Sequence, residues 1–285
     1  MRIGSLREMK ILSCGAGMQS TALALMSCEN VRSPGKFPLV PVYDLIVFCD
    51  LGKEPPWVME QVNFIERACQ EAGIRFKVLR SPLYQDYLRD FGKRRVVSIP
   101  FWTVSPDGKK GKMMRNCTMD YKIYMIQKYV RWEILGYRKG QRTRMEDIKA
   151  HEMHIGFSVE EQRRCSENPH KMFVNRFPLV EMGLERKDNY AYIRDVWGLE
   201  TKASACTFCP FHKNYFFWQL KDNQPEEYND LVAFDEMLER EQSNTKIQSE
   251  LYISRSRKRI SDLQPEECQD AECFPYQGQQ IWNGF

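Results

Sequence analysis

Three cysteines carry the clearest chemistry in this 285-residue chain. Cys206 and Cys209 make a C-x-x-C step in the run Cys206-Thr207-Phe208-Cys209-Pro210-Phe211, and Cys117 precedes it by 89 residues. Two thiolates at that spacing can clamp one metal ion or one edge of an iron–sulfur cluster. Cys165 is a candidate fourth ligand. Zinc (Zn2+) satisfies the same spacing with four N or S ligands, and His212, three residues after Cys209, is placed to supply one alongside Cys117. A redox dithiol is the remaining use of the motif. Ten cysteines without a secretion signal argue against a disulfide framework. Cys14, Cys28, Cys49 and Cys69 sit in apolar runs and read as small packing residues, with Cys14 also adjoining a second constellation.

That constellation is Ser13-Cys14-Gly15-Ala16-Gly17-Met18-Gln19-Ser20. Gly15 and Gly17 let a ligand approach the backbone, and Ser20 can cap a helix and donate to phosphate. A small-residue loop entering a helix presents N–H groups to an anion, with the helix dipole behind them. The Gly-Lys-Ser/Thr ending of a Walker loop is missing. Many βα turns share this composition and bind nothing.

The elements that must position these residues alternate. Residues 9–14, 43–49, 75–79 and 151–157 read as buried strands, and 21–29 as a helix. Val58, Val62, Ile65 and Cys69 share one helical face. The expected class is α/β, a doubly wound parallel sheet with a mainly helical C-terminal region. Ligands of such sheets bind beyond the carboxyl ends of the strands, where the Gly15 loop falls. Residues 80–120 read as irregular, 121–135 as a helix, 136–150 as an exposed basic insertion and 225–242 as a helix. The expected domains are 1–220, carrying loop and cysteines, and 221–285, a helical extension and tail. His151 and His154 fall on opposite faces of a strand and read as structural.

Four further motifs follow the loop in order: Phe48-Cys49-Asp50-Leu51-Gly52, Arg115-Asn116-Cys117-Thr118 with Lys122, Gly156 with Glu160, Glu161 and Arg163, and Phe177-Pro178-Leu179. Together they resemble the PP-loop ATP pyrophosphatases of the adenine nucleotide alpha-hydrolase class. They are similar to the PAPS reductase-like family, in a phage and bacterial subgroup akin to iron–sulfur-dependent thiolation enzymes. Three departures stand out: Cys14 replaces a Gly, Gln19 stands where many members have Asp, and Leu51 replaces a Thr. The resemblance implies ATP with Mg2+, its phosphates on Ser13, Gly15, Ala16, Gly17, Met18, Gln19 and Ser20. It implies the adenine near Phe48, Asp50 and Gly52, with Asp50 organising Mg2+. Arg115, Lys122 and Arg163 become candidates for holding phosphates or substrate. In iron–sulfur members, cysteines at the places of Cys117, Cys206 and Cys209 ligate a 4Fe-4S cluster. Three protein ligands leave one iron open, and the thiolation enzymes are thought to carry sulfur there.

Charge is unevenly spread. Residues 89–149 hold 16 Lys+Arg against 6 Asp+Glu, whereas 222–251 hold 9 acidic residues against 2 basic. A basic middle suits a polyanion such as nucleic acid. Arg94, Arg95, Lys109, Lys110, Lys112 and Arg115 accompany Phe101 and Trp102, and Arg255, Arg257, Lys258 and Arg259 form a second cluster. Cations interleaved with rings suit a strand whose bases stack, or a lid over ATP. The expected function is an ATP-dependent sulfurtransferase that adenylates an oxygen and replaces it with sulfur, on tRNA or DNA. Its sulfur donor would be a cysteine desulfurase or sulfide. A sulfonucleotide reductase and a non-catalytic nucleotide- or nucleic-acid-binding module are the alternatives. Glu272-Cys273 resembles the reductase tail Glu-Cys-Gly-x-His, but Phe274-Pro275-Tyr276 follows, so Gly and His are missing. Cys268 and Cys273 are a candidate sulfur relay or part of an incidental tail. With no apolar run near the roughly 20 residues of a membrane span and no signal-peptide pattern, a cytoplasmic location is expected. A homodimer is among the expected assemblies, because this fold often dimerises.

Overall fold

Short apolar strands buried on both faces build a parallel sheet, and a long helix with little polar surface must lie under other elements. Both occur here. The structure, a computed structural model, describes residues 8–264; Cys268, Glu272 and Cys273 lie outside them. In chain order its elements are β1 (Lys10–Cys14), α1 (Met18–Arg32), β2 (Leu45–Asp50), α2 (Pro56–Glu71), β3 (Phe76–Arg80), α3 (Leu83–Asp90), β4 (Trp102–Val104), β5 (Lys110–Lys112), α4 (Tyr124–Tyr129), β6 (His151–Ile155), β7 (Phe173–Arg176), α5 (Pro178–Glu181), α6 (Arg186–Trp197), α7 (Asn214–Asn223), α8 (Pro225–Gln242) and β8 (Glu250–Tyr252). They fall into two compact units. Among the described residues the first holds 8–50, 56–79 and 123–204, and the second holds 51–55, 80–122 and 205–264.

The first unit is a five-stranded sheet in the order β3-β2-β1-β6-β7. β1 pairs parallel with β2 and β6, and β6 pairs parallel with β7. This is the doubly wound α/β sheet expected. In α1 every residue from Ser20 to Asn30 is buried, between the sheet and helices α2 and α6. On the other face Ile126 and Val130 pack with Ile11, Leu45, Val47, Cys49 and Met153. Register sets Cys14 opposite Phe48 and Ser13 opposite Ile155. The ends of β1, β2 and β6 therefore lie side by side, and the Gly15 loop, Asp50 and Gly156 emerge at one edge of the sheet.

The second unit has a three-stranded antiparallel sheet, β5-β4-β8, with α3, α7 and α8. Its core is aromatic: Tyr84 stacks on Phe208 at 5.3 Å, and Tyr87 meets Phe101 at 5.8 Å and Phe234 at 6.2 Å. Helix α8 has the bounds read from sequence. Among the described residues no helix is long and apolar enough to cross a membrane.

Three segments depart from the sequence reading. Residues 80–120 contain α3 and the β4–β5 hairpin; strands of three residues show no usable alternation. The 136–150 segment is anchored, not merely exposed. Tyr137 and Asp147 are buried, the Tyr137 hydroxyl donates to Asp147, and the Arg144 N–H donates to that hydroxyl at 2.9 Å. The helix expected over 121–135 has an α-helical centre, α4, flanked by π turns at Met119–Ile123 and Val130–Ile134.

His151 and His154 are structural, as read. His151 lies under Phe173 with Asp147 Oδ1 3.7 Å away. His154 packs edge-on to Tyr43 at 5.1 Å, with its Nε2 3.1 Å from Glu152. Burial holds both imidazoles below their ordinary range, although the neighbouring carboxylates oppose it. His170 and His212 are held down by burial too. The folded chain keeps these rings neutral while the unfolded chain takes up protons near pH 6.5. Stability is then fully present above about pH 6.5 and falls as pH drops below it, by at most about 1.4 kcal/mol per pH unit per histidine. Urea unfolding at pH 7.5 and 5.5 checks this: the midpoint falls at the lower pH, and falls less in His154→Gln.

Candidate active site

The phosphate loop belongs to the first unit. It joins β1 to α1, whose first N–H groups have no intrahelical acceptor. The Gly15 N–H donates to Ser20 Oγ at 3.1 Å, and that hydroxyl donates to the Gly17 carbonyl at 3.2 Å. Ser20 thus ties the turn to the helix. Between the glycines, Ala16 adopts φ 54°, a left-handed conformation that costs an L-residue roughly 1–2 kcal/mol. Two distant side chains hold it. Gln61 of α2 donates Nε2 to the Ala16 carbonyl at 2.6 Å, and the Ser204 hydroxyl donates to the Gly15 carbonyl. Neither was singled out from sequence, because a polar residue on a helix and a serine in a loop look ordinary.

Gln19, the departure from the resembled motif, has a partner. Its Nε2 donates to Glu161 Oε2 at 2.7 Å and to Ser158 Oγ at 3.5 Å. A carboxylate at position 19 would face Glu161 with like charge; the amide turns that contact into a hydrogen bond. Arg164 also pairs with Glu161, and Arg186 lies 3.3 Å from it. Glu160 accepts from the Arg186 N–H at 3.0 Å. Arg163 is exposed on the short helix Val159–Arg164, while Arg164 makes the contacts. Asp50 ends β2, Ser13 is the penultimate residue of β1, and Met18 opens α1. The Phe48 ring is fully buried, so this residue offers its backbone at the strand end rather than its ring.

The thiols gather in the second unit. Cys117 and Lys122 lie close enough to act on both Cys206 and Cys209, Cys209 acts on Cys206, and Arg115 acts on Cys209. Burial pushes the Cys206 thiol well above its usual range, with Glu54 adding to the effect, and pushes Cys209 up to about 11. Cys206 Sγ donates to Glu54 Oε1 at 3.5 Å. Glu54 is positioned by its neighbours. Lys53 pairs with Asp230 at 2.5 Å and Glu227 at 3.3 Å on α8, and its carbonyl accepts from the Thr207 N–H at 2.9 Å. Gly52 before it has φ 96°, which favours glycine.

His212 is tied to the cysteine loop. Its Nε2–H donates to the Cys206 carbonyl at 2.9 Å, and the ring stacks on Phe216 at 3.5 Å. Burial lowers its pKa to about 4. Cys165 belongs to the first unit, where it borders a cavity of about 330 Å³ with Asn168, Phe173 and Asn175. Among the described residues no three His, Cys, Asp or Glu side chains converge tightly enough for a single metal ion. Phe101, expected beside nucleic acid, is buried in the aromatic core, whereas Trp102 is half-exposed.

No family model matches this chain, and no curated protein matches it. Among solved structures it is similar to the U34-tRNA thiolase NcsA from Methanococcus maripaludis, determined with its 4Fe-4S cluster. The sequence identity is 14% and the TM-score 0.40, over 84% of this chain and 75% of that one.

The loop's geometry carries a test of its own. A Cβ on Gly156 would stand 2.7 Å from the Ser20 N and 2.9 Å from the Gln19 carbonyl carbon, so β6 and α1 meet backbone to backbone. Gly156→Ala must push the first turn of α1 away, at a cost of roughly 1–3 kcal/mol. Calorimetry is expected to show Tm lower by about 2–10 °C.

Proposed function

We propose that this chain is an ATP-dependent sulfurtransferase that adenylates an oxygen of its acceptor and replaces it with sulfur. The observation that carries the reading is the gathering of Cys117 with Cys206 and Cys209, beside Arg115 and Lys122. The loop from Gly15 to Ser20, tied by Ser20 and clamped by Gln61 and Ser204, supports the ATP half. The ordered motifs that resemble PP-loop enzymes support the pairing of the two.

The thiols suit an iron–sulfur centre. Burial raises Cys206 and Cys209, and the charge of Cys117 adds to both, while Lys122 opposes it at each and Arg115 at Cys209. A metal centre supplies positive charge and fixes thiolates outright. A single zinc draws every sulfur to about 2.3 Å from one point. A cluster spreads its ligands over different irons, and the resemblance to iron–sulfur members of the class supports Cys117, Cys206 and Cys209 as the residues that would hold a 4Fe-4S cluster. When bound it would supply an open iron for the sulfur to be transferred.

In the reading proposed, ATP rests its phosphates on the loop N–H groups with Ser20 donating. Asp50 is the candidate for organising Mg2+, which neutralises developing phosphate charge. The acceptor oxygen attacks the α-phosphorus, the α–β phosphoanhydride bond breaks, and pyrophosphate leaves. Sulfur then attacks the atom bearing the adenylated oxygen; that bond breaks and AMP departs. Arg115 and Lys122 lower the thiols they face and bind substrate or phosphate. Arg163, exposed on its short helix, is a candidate for the phosphate side. The acceptor proposed is nucleic acid, tRNA or DNA, with a cysteine desulfurase or sulfide as donor.

Purification without oxygen, followed by iron, zinc and acid-labile sulfide analysis and a pyrophosphate-release assay, tests the reading. About four iron and four sulfide per chain are expected, lost in Cys117→Ser, Cys206→Ser and Cys209→Ser. Pyrophosphate release is expected to drop at least tenfold in Ser20→Ala. One zinc per chain without labile sulfide would overturn the cluster; sulfite release from a sulfonucleotide would make the chain a reductase.

A further inference from the structure

Four cations gather round two rings in the second unit. Lys112 Nζ lies 5.4 Å from the centre of Trp102 and 4.7 Å from that of Phe211. The Arg115 guanidinium is 5.5 Å from Phe211, and those of Arg255 and Arg257 are 5.7 and 5.4 Å from Trp102. Strand pairing brings them together, because Trp102 lies between Lys112 of β5 and Tyr252 of β8. Arg257 is fixed further by donating to the carbonyls of Thr103 and Gly111, at 3.2 Å each.

Among the described residues three of these cations, Lys112, Arg255 and Arg257, have no carboxylate partner. The ion pairs of these stretches join Lys109 to Asp107, and Arg259 to Asp235 and Glu239. Cations crowded without acids repel one another, and a polyanion relieves that repulsion. Ring contacts hold the charged groups in place beforehand, so less side-chain freedom is lost on binding. The same rings and guanidinium planes offer stacking surfaces to bases whose faces are open, which a duplex does not present.

The patch adjoins the thiols. Trp102 Nε1 donates to the Pro210 carbonyl at 2.7 Å, and the Phe211 N–H donates to the Cys209 sulfur. Arg115 faces both Phe211 and Cys209. We propose that this face docks an unpaired segment of nucleic acid, its phosphates on Lys112, Arg115, Arg255 and Arg257 and its bases against Trp102 and Phe211, with one nucleotide presented to the three thiols. Only the final clause rests on the sulfurtransferase reading.

Fluorescence anisotropy with the full chain and labelled dodecamers tests the proposal. Single-stranded RNA, single-stranded DNA and the DNA duplex are compared, with polyglutamate as competitor. One or both single strands are expected to bind at least tenfold tighter than duplex, and the tighter one names the source. Each phosphate contact contributes about 0.7 to the slope of log affinity against log salt. Lys112→Ser with Arg255→Ser, both exposed positions, is expected to reduce that slope by about 1.4 while the circular dichroism and iron content stay unchanged. Phe211→Leu is expected to weaken binding about tenfold. Equal binding of duplex, displacement by polyglutamate at equal charge, or strand affinity unmoved by these variants would overturn the docking face. Iron content and pyrophosphate release, measured on the same preparations, separate the two claims. Strand binding without either activity leaves the face standing and removes the sulfurtransferase; both activities without strand binding do the reverse.

Discussion

Burial of two thiols is the constraint on which the second unit turns. A thiol sealed from water resists ionisation; burial raises both Cys206 and Cys209, and the charge of Cys117 adds to the cost at each. Arg115 and Lys122 oppose this, and Glu54 adds to it while accepting from Cys206. The same loop is held rigidly by contacts that do no redox chemistry. His212 closes on the Cys206 carbonyl, Trp102 on the Pro210 carbonyl and Thr207 on the Lys53 carbonyl. An exposed C-x-x-C pair would titrate freely, whereas burial holds these thiols above their usual range.

The phosphate loop faces the complementary problem. Left-handed Ala16 is unfavourable by itself, and the first N–H groups of α1 have no intrahelical acceptor. Strain of this kind persists only where surroundings over-determine it. Gln61 holds one carbonyl, Ser204 another, and Ser20 closes the turn on itself. Gly156 presses from β6 at a distance no side chain allows. Glutamine at position 19 then becomes intelligible, because its amide donates to Glu161 where a carboxylate would repel it.

Much of this was legible. The parallel sheet followed from apolar runs alternating with helices, and the loop from small residues between a strand and a helix. Cys117 was tied to the C-x-x-C step by motif order rather than by spacing. What escaped the sequence reading depends on contacts between remote segments. Gln61 is one polar residue on an otherwise regular helix. His212 stood out by its spacing alone, and its contact with the Cys206 carbonyl had no sequence signal. The two basic clusters, near 112 and 255, read as separate until β4 placed both beside Trp102. Three-residue strands carry too little periodicity to announce such a meeting. Tyr137 and Asp147 turn a basic stretch into an anchored one through a single buried hydrogen bond.

Magnitudes indicate what assembles the thiol centre. The second unit is drawn from separate stretches of chain, and joining Cys117 to Cys206 closes 89 residues. Closure of that length costs about 4 kcal/mol of chain entropy. Burying one large aromatic side chain returns about 1.5–3 kcal/mol. Tyr87, Phe101, Phe208 and Phe234 are all buried here, from both sides of that closure. Packing alone therefore offsets the cost of bringing the cysteines together. In small zinc domains the metal supplies the folding free energy, and the chain without it is unfolded. Here the aromatic residues on both sides of that closure pack together around the cysteine loop.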